Sequence, residues 1–301
     1  MFFIETKDLK LQLEVVPVES LIQHEGILPH VADKLILEFK NWANFQDPII
    51  IGENFIILDG HHRAHAIKKL KFKHIPVCKI DYFHETIQLR RWFRLFENVK
   101  DIEIMKKTVE AMKGTLRQVD DKKILEKVME KNKLNFGIQW GSFYASIGFH
   151  EDVVNDTVSA YDILEKIQTE LIRKGTKLRY IPCQSVYEYQ SHDKLKEGKM
   201  IIWTPQITKE MVMDAVKEEK VFAPKTTRHL IPARPINMNI PSYWFKENIS
   251  LKEINRRFVE FLKGKKIKRF GPGQIIDGRH YGEDVFVFLR ESNNLKQKEE
   301  N

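Results

Sequence analysis

The chain has 301 residues, 42% hydrophobic and 31% charged, with a formal net charge of +8. That length allows one large domain or, better, two ordinary ones, and the composition excludes a chain disordered along most of its length. Cys78 and Cys183 lie far apart with no CxxC spacing, which argues against a disulfide framework or a structural zinc site and suits a reducing compartment. The opening MFFIETKDLK meets charge within a few residues, and no apolar run reaches the roughly 18 residues that a membrane span needs. A cytoplasmic protein with no membrane association is expected. The positive charge suits a nucleic-acid binder and a protein handling nucleotide phosphates equally, so charge does not choose between them.

In chain order, LQLEVVPVESL (11–21) reads as a strand running into a turn, and HVADKLILEFKNWA (30–43) as a helix entered near Pro29. DPIII and NFIIL form two short β-rich runs broken at Gly52-Glu53, a hairpin signal. HHRAHAIKKL is a helix with Ala66, Ile67 and Leu70 inward, and IPVCKID (75–81) a further strand. The spans 85–99, 101–113 and 120–133 are helical by composition and spacing; 135–150 is rich in glycine and aromatic residues and reads as a covering segment. SAYDILEKIQTELIRKG (159–175) has Ser159 as its N-terminal signal and Gly175 as its stop. KLRYIP and KMIIWTP read as strands, ITKEMVMDAVKEE and ISLKEINRRFVEFLKG as helices, and QIID with DVFVFL as a closing strand pair. The basic run KGKKIKRF (263–270) reads as a helix end, where the dipole favours cations. IIDGRHY (275–281) echoes IILDGHH (56–62), but it looks like a hairpin turn rather than a duplication. Residues 291–301 lack apolar anchors and are expected to be flexible.

The informative junction is ILDGHHR (57–63), a strand that ends in Asp59-Gly60 and opens a helix with His61, His62 and Arg63. A helix start carries unpaired N–H groups and the positive end of the macrodipole, so it favours an anion. Glycine permits close approach, and guanidinium matches phosphate oxygens. The plainer reading, Asp59 as a helix cap with surface histidines, stands beside it for these five residues alone.

The surrounding residues carry a resemblance: HEGILP (24–29), DPIII (47–51), ILDGHHRAHAIKKL (57–70), IPV and IDY (75–82), RW (91–92), PKTTRHLIPARPI (224–236) and GPGQIIDGRHY (271–281). The junction resembles the ParB/sulfiredoxin-like superfamily, and the whole set resembles the free L-serine kinases of the SerK/SbnI type. The resemblance implies an α/β (α+β, mixed-sheet) fold, with a ParB/sulfiredoxin-like nucleotide-phosphate domain at 1–84. A second α/β domain at 85–290 would complete the amino-acid site and form a cleft. It implies phosphorylation of free L-serine to O-phospho-L-serine with ADP or ATP and Mg²⁺, feeding cysteine or siderophore-precursor synthesis. Glu25 would be the catalytic base. Asp59 would hold Mg²⁺ or orient the hydroxyl, and Gly60, His61, His62 and Arg63 would bind phosphate. Trp92 would line the amino-acid pocket, although packing explains a tryptophan there equally well. Thr226, Thr227, Arg228 and His229 would bind the substrate, Arg228 through its carboxylate.

The partners implied are L-serine and nucleotide, not nucleic acid; oligomeric state is not specified. The chain is longer than members of that family, with the extra length assigned to 100–160 and no role attached. A ParB-like nucleotide-binding regulator is the competing reading, but 100–160 shows no clean helix-turn-helix pattern. A sulfiredoxin-like thiol enzyme would need a cysteine where His61 and His62 stand.

Overall fold

The computed structural model describes residues 1–6, 9–41, 43–184, 190–191 and 194–289. They divide into two compact units: Met1–Ile22, Ile27–Gln88 and the residues from Ile231 on form one, and Gln23–Gly26 with Leu89–Leu230 form the other. This division departs from the expected 85–290 domain, because the chain after Ile231 is bonded to the N-terminal strands. Ile240–Pro241 pairs with Asn44–Phe45, and the Lys73 N–H donates to the Phe245 carbonyl. The expected flexible tail at 291–301 lies outside the described residues.

The first unit is built on a five-stranded mixed sheet in the order Phe2–Glu5, Lys10–Pro17, His74–Ile80, Ile49–Gly52, Ile57–Asp59. Ile49–Gly52 runs parallel to His74–Ile80, and the other pairs are antiparallel. Ile49, Ile50 and Ile51 are all buried, as expected of a strand covered on both faces. The helix His61–Lys69 follows Ile57–Asp59 after the single residue Gly60, whose φ of 109° is open to glycine and strained for other residues. The helix Leu251–Lys263 buries Ile254, Phe258 and Leu262. Its Asn255 completes the edge of Lys10–Pro17 where the Phe2–Glu5 strand has ended: Oδ1 accepts from the Val15 N–H at 2.9 Å and Nδ2 donates to the Val15 carbonyl at 2.8 Å. One amide thus imitates a neighbouring strand.

The second unit holds a seven-stranded sheet. Its order is Lys177–Pro182, Gln88–Glu97, Lys199–Trp203, Phe136–Trp140, Phe143–Phe149, Gly114–Val119, and Thr227–Leu230 also pairs with Gln88–Glu97. One face packs Phe96, Phe136, Ile138, Ile147 and Met200 against Tyr161, Leu164 and Ile167 of the helix Thr157–Arg173. The other face packs Phe93, Leu95, Ile201 and Trp203 against Leu125 and Met129 of the helix Lys122–Lys131.

Several elements differ from the sequence reading. The span 85–99 is not a helix: Gln88–Glu97 is a central strand, and its run Phe93-Arg94-Leu95-Phe96 is buried on both faces, so periodicity cannot separate it from a buried helix. The covering segment at 135–150 is a hairpin, Phe136–Trp140 with Phe143–Phe149, turning at Gly141 with φ 58°. The helix expected at Ser159 starts at Thr157; Asp156 is its N-cap and Ser159 returns the bond as a capping box. The basic run after Lys263 continues as the strand Lys266–Phe270. The Asp277-Gly278 turn does join a hairpin, between Gln274–Ile276 and Arg279–Tyr281, whereas Asp284–Leu289 pairs with Lys266–Phe270 and Ala233–Ile236. No helix among the described residues is long and apolar enough to cross a membrane.

If Asn255 serves as a strand substitute, Asn255→Leu leaves the Val15 N–H and C=O unpaired in a partly buried setting. The variant should lose about 1–3 kcal/mol of stability in urea unfolding. A midpoint equal to wild type would show that water replaces the amide without penalty.

Candidate active site

Two carboxylates anchor two separate constellations. In the first unit, the strand Ile57–Asp59 delivers Asp59 to its C-terminal end, and Gly60 turns the chain into the helix with no side-chain cap on the first-turn N–H groups. A methyl on Gly60 would lie 3.0 Å from an Arg63 nitrogen and 3.1 Å from Ile49 Cγ1, so the turn has no room for a side chain. Asp59 Oδ2 accepts from Arg234 Nη1 at 2.8 Å and lies 3.5 Å from Arg63 Nη2. Burial opposes its charge, but more than a third of the side chain (37%) meets solvent, and Arg234, Arg63 and Arg279 outweigh the desolvation. They hold the Asp59 carboxyl well below the usual carboxylate range.

Arg63 is more committed to the fold than the sequence suggested. Its Nη1 donates to the carbonyls of Asp47 and Pro48 at 3.0 and 3.1 Å, while Nη2 faces Asp59. His62 Nε2 accepts from the Leu28 N–H at 2.9 Å, which fixes the neutral ring with its proton on Nδ1. His61 is buried in the first turn. What the junction presents to an anion is therefore chiefly backbone N–H, the helix dipole and the nearby guanidinium charge.

The second constellation surrounds Glu25. The segment Gln23–Gly26 is tied to Phe222 by two backbone bonds, Phe222 N–H to the His24 carbonyl and Gly26 N–H to the Phe222 carbonyl, which together make a parallel bridge between Glu25 and Phe222. The Glu25 side chain is 7% exposed. Its Oε1 accepts from the Lys225 N–H at 3.0 Å, and its Oε2 from the Thr227 N–H at 2.7 Å and the Thr227 hydroxyl at 2.5 Å. His24, fully buried, lies behind with Nε2 3.2 Å from the same hydroxyl. Burial pushes the Glu25 carboxyl above its ordinary value, against the bonds from Thr227 and Lys225 that favour the anion. A buried carboxylate with raised proton affinity is suited to general-base work.

The remaining expected residues gather on the same turn. Trp92 is half-buried, donates Nε1–H to the Thr227 carbonyl at 3.0 Å, and carries the Lys225 ammonium and the Arg228 guanidinium 5.1 and 5.4 Å from its ring centre. His229 meets the His24 ring edge-on at 5.6 Å. Thr226 is completely buried and gives its hydroxyl to the Ala223 carbonyl at 2.7 Å, so it shapes the turn from inside. Sequence reading missed Arg94, Arg234 and Gln168. The signal for Arg94 was a lone charge inside WFRLF, and for Arg234 a lone charge between Ala233 and Pro235.

Arg234 and Arg63 both approach Oδ2 of Asp59, and a single carboxylate is a donor set that would suit Mg²⁺ held mainly by phosphate oxygens and water. Among the described residues there is no group of three or more His, Cys, Asp or Glu side chains placed to hold an ion.

No family model matches the chain. It is 26% identical over 237 residues to an ATP-dependent L-serine kinase of Staphylothermus marinus, covering 75% of this chain and 88% of that protein. It is 24% identical over 240 residues to the ADP-dependent L-serine kinase SerK of Thermococcus kodakarensis, covering 77% and 92%. A mutant free serine kinase solved in complex with AMP superposes with a TM-score of 0.64 at 19% identity, over 81% of this chain and 97% of that one. Over three quarters of its length the chain is thus similar in sequence to these L-serine kinases, and its fold is similar to that of the free serine kinase.

Proposed function

We propose that the protein transfers the terminal phosphoryl group of ATP or ADP to the hydroxyl of free L-serine, giving O-phospho-L-serine and ADP or AMP. The observation that carries this reading is Glu25: a carboxylate buried, held by three hydrogen bonds and raised in proton affinity. The kinship with L-serine kinases gives that base its reaction.

In this reading Glu25 takes the hydroxyl proton as the serine oxygen attacks the terminal phosphorus, and the bond from phosphorus to the bridging oxygen of the nucleotide breaks. The Thr227 hydroxyl, now bonded to Oε2, yields its place to the incoming serine hydroxyl. Phosphoryl transfer asks the protein mainly to position groups and stabilise charge. The Gly60 turn and the first-turn N–H groups of His61–Lys69 bind phosphate. Asp59 would hold Mg²⁺, which when bound would neutralise phosphate charge. Trp92, Arg228 and His229, gathered about the Thr227 strand, hold the amino acid, with Arg228 set to pair its carboxylate. Cytoplasm, where both substrates are available, is the setting we assign.

Purified protein offered L-serine with Mg²⁺ and either nucleotide should form O-phosphoserine detectable by mass spectrometry, with L-threonine as the competing acceptor in a parallel tube. Glu25→Gln should lower kcat by about 10²–10⁴-fold while leaving nucleotide affinity, measured by calorimetry, near wild type. Nucleotide binding without any phospho-amino acid would sink the kinase reading and favour a nucleotide-binding regulator.

The pH profile follows from the sign of the Glu25 shift. A base works deprotonated, and burial raises its proton affinity, so kcat/KM should fall on the acid side with a midpoint above the ordinary glutamate value of about 4.3. A midpoint at or below that value would remove Glu25 from the role.

Gly60→Ala places a methyl against Arg63 and Ile49 in a left-handed backbone. Weaker nucleotide binding by about tenfold or more is expected, with the Glu25-dependent acid limb unmoved. Unchanged affinity would place the phosphates elsewhere.

A further inference from the structure

The geometry points to Arg94 as the positioning residue that sets Glu25 for its work, an assignment that rests on the reading of Glu25 as the base. Arg94 stands in the strand Gln88–Glu97 with 1% of its surface exposed, among the largest fully buried side chains of the protein. Its Nη1 donates to the carbonyls of Trp92 and Lys225 at 2.9 and 2.8 Å, its Nη2 to the carbonyl of Pro224 at 3.4 Å, and its Nε to Gln168 Oε1. These acceptors are all neutral, and its guanidinium carbon also lies 4.8 Å from the centre of the Tyr180 ring. A guanidinium buried among neutral acceptors is costly and is kept where its fork has geometric work.

That work is visible in the peptide group joining Pro224 to Lys225. Its carbonyl accepts from Arg94 and its N–H donates to Glu25 Oε1. Carbonyl and N–H point opposite ways in a trans peptide, so this group lies between the guanidinium and the carboxylate and relays one charge to the other through its dipole. The next carbonyl, of Lys225, is also held by Arg94, and the turn then presents the Thr227 N–H to Glu25 Oε2. Lys225 adopts a φ of 61°, a left-handed conformation that a lysine does not choose unaided. Arg94 holds both carbonyls that this conformation turns inward. Gln168, on the helix Thr157–Arg173, fixes the guanidinium from behind. Arg94 thus acts on Glu25 from one peptide away: it keeps two N–H donors converged on the carboxylate and adds its positive charge to that of the Lys225 ammonium, which also favours the anion.

The test pairs kinetics with a direct titration. Arg94→Lys keeps a cation but loses the fork, and Gln168→Met removes one bond to it and leaves the guanidinium in place. Both are compared with wild type and with Glu25→Gln as the spectral blank. For Arg94→Lys, kcat should fall about ten- to a hundredfold with the nucleotide KM unchanged, and the acid limb of kcat/KM should move to higher pH. Gln168→Met should shift both in the same direction by less. Infrared difference spectra, wild type minus Glu25→Gln, isolate the Glu25 carboxyl band; in Arg94→Lys its titration should move up in step with the kinetic limb. A variant that melts like wild type but keeps its kcat and its Glu25 titration overturns the assignment. If wild type makes no phosphoserine, the kinase reading fails by itself, and the infrared titration alone still decides whether Arg94 governs Glu25.

Discussion

Removing a carboxylate from water costs several kcal/mol unless the protein replaces the lost hydration, and the construction of the second unit around residues 222–227 follows from that demand at Glu25. Water would donate several hydrogen bonds to each oxygen. Here the donors are the Lys225 N–H, the Thr227 N–H and the Thr227 hydroxyl. Two are backbone groups, which cannot rotate away, so the chain itself must bend to aim them. The left-handed Lys225, the inward hydroxyl of Thr226 on the Ala223 carbonyl and the bonds from Phe222 to residues 24 and 26 all serve that bend. The compensation is incomplete, since Glu25 still ends above its ordinary proton affinity. An ionised but imperfectly solvated carboxylate is a stronger base than one in water, and its donors need little reorganisation when charge moves.

Asp59 meets the opposite solution. It keeps a third of its side chain in solvent and is surrounded by formal positive charge from Arg234, Arg63 and Arg279. Arg234 is itself balanced by Glu283 as well as Asp59, so the cluster alternates in sign. The result is a carboxylate that stays ionised across the physiological range, which suits a cation ligand and not a proton carrier. The two carboxyl groups are thus driven apart in proton affinity by their surroundings, one by burial and the other by neighbouring positive charge.

The junction ILDGHHR could be read from sequence because its structure is local. An apolar strand, a glycine and a helix start are adjacent in the chain, and the φ of Gly60 is a property of one residue. The strands from Lys10 to Ile80 were legible for the same reason. The setting of Glu25 was not, because each donor lies about two hundred residues away. Without the resemblance, a glutamate after a turn reads as a surface residue. Arg94 was hidden twice over: its segment reads as helix when taken alone, and its partners at 168, 224 and 225 are distant in the chain. The misread span 85–99 shows the physical limit. A strand buried on both faces has no alternation to display, and only the neighbouring strands, Lys177–Pro182 and Lys199–Trp203, decide its conformation.

In the first unit the fold changes what the ILDGHHR junction can offer an anion. The sequence offers two histidines and an arginine, which suggests an anion site made of formal cations. In the fold, Arg63 is turned to two backbone carbonyls and Asp59, and His62 receives a backbone proton on Nε2, which keeps the ring neutral. Their first duty is to fix the turn: Arg63 ties Asp47-Pro48 to the junction, and His62 ties Leu28 to it. What the turn offers an anion is then chiefly the backbone of a helix start that carries no side-chain cap, with the guanidinium charge nearby. Fixed dipoles hold an anion by geometry, with no side chain to reorder as it enters or leaves.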